Sequence, residues 1–184
     1  VGQCELMSTY DKLFGEYRHT VAQLLLTGDD FSCPERLRNL QNTMSRLLEL
    51  GALPIINEND TIATDEIKVG DNDTLSAMVA TGIGADLLVL MSDINGLFTA
   101  DPKQDPGAKL INDVTEITEE IRQLAGSAGS ALGTGGMITK IHAAEICGAG
   151  GVDMVIVNGQ MPSVLYDLVD GKKVGTYFHA KKKG

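Results

Sequence analysis

Residues 86–91 read Asp86-Leu87-Leu88-Val89-Leu90-Met91, an apolar run without alternation. A strand with one solvated face alternates apolar and polar side chains. An unbroken run is what a strand covered on both faces carries, and such strands belong to parallel sheets held between layers of helices. Further short apolar runs fall at 20–27, 53–57, 153–157 and 174–179. Between them lie stretches of helical periodicity at 4–17, 34–50, 73–81, 118–125, 137–148 and 162–169. Ser32 and Glu35 have capping-box spacing with Pro34 between them, and Gly51 marks a stop. Alternation of this kind predicts an α/β fold: an open, mostly parallel sheet with helices on both faces, joined by right-handed crossovers. The whole chain reads as part of one domain.

Composition narrows the function. At 184 residues the chain is long enough to bury a sizeable core, and 43% hydrophobic content excludes disorder. No apolar run approaches the length of a membrane span. A net charge of −10 argues against a general nucleic-acid or anionic-membrane surface, so an anionic ligand needs a local basic or N–H-rich pocket. Cys4, Cys33 and Cys147 are odd in number and lack metal spacing, so they read as reduced thiols of a cytoplasmic protein, and no metal site is assigned to protein side chains.

Two polar clusters interrupt this pattern. Pro54-Ile55-Ile56 runs straight into Asn57-Glu58-Asn59-Asp60, which is how a buried strand looks where its carboxyl end meets a site. Asp71-Asn72-Asp73 precedes the helical positions Leu75, Met78 and Val79, with Asp73 as the expected N-cap. Carboxylates and carboxamides so placed can grip an ammonium group or position a metal; each cluster alone is equally a solvated loop with ordinary capping. A third feature, Gly133-Thr134-Gly135-Gly136-Met137-Ile138-Thr139-Lys140, opens a helix. Glycines there admit close backbone approach, helix-start N–H groups favour anions, and Lys140 adds a point charge. It matches neither GxxxxGK[ST] nor GxGxxG, and glycine clusters of this sort are also plain turns. His142 and His179 show no evident partner.

Taken together, Leu53 through Asp60, Ile67 through Asp73, Ser92-Asp93 with Gly96-Leu97-Phe98-Thr99-Ala100-Asp101-Pro102, the glycine segment with Lys140, and Val174-Gly175-Thr176-Tyr177-Phe178-His179 resemble the amino acid kinase family, in particular its glutamate-phosphorylating branch. The resemblance implies a three-layer sandwich and ATP-dependent phosphorylation of the γ-carboxylate of L-glutamate with Mg2+, the first step of proline biosynthesis. It implies Lys140 and Asp73 as catalytic residues, with Asp73 orienting the lysines around the transferred phosphoryl group. Asp60 and Asn72 would hold glutamate. Ser92, Asp93, Thr134, Gly135, Gly136, Met137, Ile138, Thr139 and Lys140 would bind the nucleotide. A cytoplasmic homo-oligomer and feedback inhibition by proline also follow from the resemblance.

The family domain begins with a strand bearing a phosphate-clamping lysine and a glycine turn, which this sequence does not show; Lys12, inside a helical stripe, does not replace it. The expectation is therefore an amino acid kinase domain over 1–184 without its first strand segment and without the PUA domain of some bacterial members, with little activity of its own. Two other readings stay open: a superfamily kinase with a different acceptor, and a non-catalytic module that senses glutamate, proline or nucleotide.

Overall fold

The computed structural model describes residues 2–127 and 136–181. The chain divides into two compact units, Val1–Gly70 and Asp71–Gly184. The fold is mixed α/β with mostly parallel strand pairing.

The first unit contains α1 (Gly2–Gly15), β1 (Thr20–Leu26), α2 (Asp29–Ser32), α3 (Pro34–Glu49) and β2 (Ala52–Glu58). β1 and β2 pair in parallel with Leu26 opposite Glu58. α1 packs on β1, and α3 packs on β2 through its buried Leu40 and Met44. The expected capping box is not formed. Ser32 ends the short helix α2, and Cys33 sits at the N-cap of α3 without a side-chain cap bond. Asp30 explains the extra turn: its carboxylate accepts from the Thr27 amide at 2.8 Å and hydroxyl at 3.2 Å, winding the chain at the end of β1.

The second unit contains α4 (Asn72–Ile83), β3 (Leu87–Ser92), β4 (Asp113–Val114), α5 (Glu119–Ser127), α6 (Met137–Gly150), β5 (Asp153–Asn158), α7 (Val164–Val169) and β6 (Thr176–Phe178). Its sheet runs β3-β5-β6-β4. β5 is central, and Met154, Val155 and Ile156 are wholly buried; each such side chain contributes about 1.5–3 kcal/mol. Helices α4 and α6 pack closely through small residues: Ala77 and Ala143 have no exposed surface, and Gly150 lies so near Thr81 that a Cβ there would meet the threonine methyl.

Several expectations are corrected here. The strands fall into two sheets rather than one, since apolar periodicity marks strands but not their pairing partners. β3 is half-exposed because, among the described residues, it lies at an edge of its sheet, hydrogen-bonded to β5 alone. β6 pairs with β5 antiparallel, and the two-residue β4, too short to leave a period in the sequence, pairs beside it. Gly82 lies within α4, which closes at Gly84 in the left-handed conformation (φ 68°). Both histidines have neighbours: His179 Nε2 lies 3.1 Å from Asp113 Oδ1 with its ring against Tyr177, and His142 Nδ1 lies 3.8 Å from Glu145. Asp113 also accepts from Lys173, and these two partners hold its carboxyl below the usual range.

Candidate active site

In the second unit the site begins at the start of α4. Asp71, with extended backbone (φ −150°), is the N-cap: its carboxylate accepts from the Thr74 amide at 2.7 Å and the Thr74 hydroxyl at 2.8 Å. The cap expected at Asp73 therefore belongs to Asp71. The consequence is chemical, because Asp73 is one turn-step inside the helix and its carboxylate is released for another partner. That partner is Lys140 of α6, whose Nζ donates to Asp73 Oδ2 at 2.9 Å. The lysine side chain is 8% exposed and the aspartate 18%, so the ion pair is held largely out of water, where it is screened little.

The same lysine lines a cleft of about 640 Å³ in this unit. Ser92 and Asp93, at the carboxyl end of β3, line it from one side; Gly136 and Met137, at the N-terminus of α6, line it from another. Gly136 is the N-cap, and among the described residues no side chain caps this helix start, whose N–H groups suit an anion. Of the other nucleotide candidates, Ile138 is exposed and Thr139 turns its hydroxyl to Asp73 instead of the cleft. Thr134 and Gly135 lie outside the described residues.

The cleft wall over 93–111 is fastened by residues that the sequence showed only as a motif. Thr176, fully buried, accepts from the Leu97 amide at 2.8 Å and donates to the Ile111 carbonyl at 2.6 Å. Gly96 (φ 142°) passes so near that a Cβ there would lie 2.5 Å from the Thr176 hydroxyl. Gly175 (φ 68°) lies against the Ile156 carbonyl, leaving no room for a side chain.

In the first unit, Asp60 is exposed on the loop that follows β2, and its carboxylate takes no intramolecular partner among the described residues. Asn72, the first residue of α4 in the second unit, is also exposed. Reading the sequence as a site missed what Glu58 does. Buried at the end of β2, its carboxylate accepts from the Val69 amide and, at 3.1 Å, from the Gly70 amide, stapling the far end of the loop to the strand. The Gly28 amide donates to the Ile67 carbonyl at 2.8 Å, and a Cβ at Gly28 would come within 2.9 Å of that oxygen. The only signal in the sequence was a Glu among the polar residues that end the apolar run of β2.

The sequence profile of the amino acid kinase family matches residues 1–158. The chain belongs to the amino acid kinase family. It is 54% identical to a glutamate 5-kinase of Clostridium tetani and 49% identical to one of Clostridium perfringens, covering 99% of this chain and 68% and 69% of those proteins. It is 52% identical to a glutamate 5-kinase of Carboxydothermus hydrogenoformans, of which it covers 49%. The chain thus spans between 49% and 69% of the length of these relatives. Among solved structures, an isopentenyl phosphate kinase matches with a TM-score of 0.63 at 18% identity over 95% of this chain and 65% of that one. A UMP kinase from Bacillus anthracis matches with 0.56 at 16% identity over 88% and 58%. These two likenesses show that the chain shares its fold with those proteins. No helix among the described residues is long and apolar enough to cross a membrane.

Proposed function

We propose that the protein transfers the γ-phosphoryl group of ATP to the γ-carboxylate of L-glutamate, giving glutamyl 5-phosphate for proline biosynthesis in the cytoplasm. The observation that carries this reading is the Lys140–Asp73 pair placed at a cleft shared with Ser92, Asp93 and the start of α6. Identity near 50% to glutamate 5-kinases supports the choice of acceptor.

The chemistry suits the residues. A glutamate side chain has a pKa near 4.3 and is ionised at neutral pH, so no general base is required. The obstacle is an anion attacking an anion, and catalysis consists of positioning and charge stabilisation. Asp73 holds the Lys140 ammonium beside the cleft, from where its charge can be turned to the transferring group. The N-terminus of α6 borders the same cleft through Gly136 and Met137, which suits binding of a phosphate. Asp60 offers its carboxylate to the α-ammonium group of the amino acid, and Asn72 a carboxamide. Among the described residues no group of three or more metal-ligating side chains is placed to build a protein cage. Mg2+ carried on ATP needs only one or two carboxylates, and Asp93 and Asp101 both line the cleft, so the residues fit it. Bound with ATP, it supplies charge neutralisation on the phosphates. The domain reading over 1–184, a homo-oligomeric state and inhibition by proline go with this proposal.

The test is an acceptor screen with Mg-ATP in the whole protein: L-glutamate, L-aspartate, UMP and isopentenyl phosphate, with ADP release as readout. Glutamate alone is expected to stimulate release. Preference for a phosphate acceptor would overturn the assignment, and glutamate binding by calorimetry without ADP release would make this a sensing module.

A further inference from the structure

We propose that Thr139 is a positioning residue that acts through Asp73, holding the carboxylate that holds Lys140, and is not a contact to the nucleotide. The inference rests on the reading of Lys140 as the lysine at the transferred phosphoryl group.

Thr139 and Lys140 are consecutive on α6, so their side chains leave the helix about 100° apart. Both nevertheless reach one atom of α4. Lys140 Nζ lies 2.9 Å from Asp73 Oδ2, and Thr139 Oγ1 lies 2.7 Å from the same oxygen. The close packing of α4 against α6 makes this possible, since it brings Asp73 within reach of both the short threonine and the longer lysine. Thr139 Oγ1 also lies 2.7 Å from the carbonyl of Gly136, a residue that lines the cleft.

A hydroxyl has one proton, whereas an ionised carboxylate and a carbonyl only accept. The Thr139 proton therefore serves Asp73 or Gly136, one at a time. With the Lys140 ammonium turned to Asp73, the carboxylate is satisfied and the proton is available to the Gly136 carbonyl. As the ammonium turns toward the phosphoryl group, the half-buried carboxylate loses a charge-assisted partner, and the Thr139 proton takes its place. The hydroxyl lowers the cost of sharing Lys140 with the substrate and ties that sharing to the backbone at the glycine turn. Thr139 does not line the cleft, which leaves this as its task.

The measurement is steady-state kinetics on the whole protein with Thr139→Val, which removes the hydroxyl and keeps the branched shape, beside Thr139→Ser, which keeps the hydroxyl. Thr139→Val is expected to lower kcat by roughly ten- to a hundredfold, the range of a hydrogen bond to a charged group, with KM for ATP and for glutamate little changed. Thr139→Ser is expected to retain kcat. In an Asp73→Asn background the Val change is expected to add little, because the two act as one unit. An unchanged kcat in Thr139→Val overturns the proposal. So does a raised KM for ATP at normal kcat, which would make Thr139 a nucleotide contact, or a Ser variant as slow as the Val one, which would make the methyl group the important part. If Thr139→Val does not fold, Thr139→Ala replaces it against the Ser variant under the same criteria. A parent protein without glutamate-dependent ADP release counts against the proposed function itself; an active parent with indifferent variants counts only against Thr139.

Discussion

On the proposed reading, the chemistry turns on Lys140. Lys140→Met removes the charge while keeping the unbranched stem. It is expected to reduce kcat by about 2–4 kcal/mol of transition-state stabilisation, as for deletion of an oxyanion-hole donor, with KM for glutamate nearly unchanged. Initial-rate kinetics decides this, and a normal kcat removes Lys140 from the transfer step. Cys147 gives a pH signature. Burial pushes its thiol from 9.0 up to about 11, because the thiolate is poorly solvated. The folded state therefore holds this proton where the unfolded chain has lost it, and the stability present below pH 9 falls as pH rises from about 9 toward 11. Urea midpoints across this range should decline less in Cys147→Ala; parallel declines would remove the thiol from the account. At neutral pH, alkylation should mark exposed Cys4 well before buried Cys147. What the sequence showed at this scale was residue type, not assignment. Asp71, Asn72 and Asp73 are all competent to cap a helix, and only the backbone at Asp71 decides that Asp71 does so and that Asp73 is left for Lys140.

Elements carry the site through a few fixed points. Gly175→Ala places a methyl group against the Ile156 carbonyl at φ 68°, so the backbone beside β6 has to move. The expected loss of stability is at least the roughly 1–3 kcal/mol of a strained non-glycine residue, with weaker ATP binding because Thr176 no longer fastens the cleft wall. Chemical denaturation and nucleotide titration read the two effects, and an unperturbed midpoint would show that this contact gives way easily. In the first unit, Glu58→Gln keeps one acceptor oxygen and loses the other. The Val69 and Gly70 amides are then expected to exchange hydrogen faster, and the loop bearing Asp60 to grip glutamate less well, seen as a raised KM. Unaltered exchange at both amides would mean that the staple is unimportant. Helix periodicity made α3, α4 and α6 legible within a few residues. The edge position of β3 and the antiparallel entry of β6 were not legible, because both depend on which strand pairs with which. Glu58 was visible only as one polar residue in a polar cluster; its burial comes from the loop folding back over it.

At the scale of the molecule, alternating strands and helices foretold the α/β class, and the order of the motifs foretold the family. The division into two compact units was not foretold, since no linker composition marks Gly70. The central claim is that the cleft at Asp73 and Lys140 phosphorylates a carboxylate, and that the carboxylate is the γ-group of glutamate. An acyl phosphate is trapped by hydroxylamine as a hydroxamate, whereas a phosphate acceptor yields none. The most direct measurement is therefore hydroxamate formation by the whole protein with Mg-ATP, hydroxylamine and L-glutamate, beside the Lys140→Met variant. The account predicts γ-glutamyl hydroxamate in proportion to ADP released, dependent on glutamate and nearly abolished in the variant. ADP release without hydroxamate, or hydroxamate at the parental rate from Lys140→Met, would contradict it.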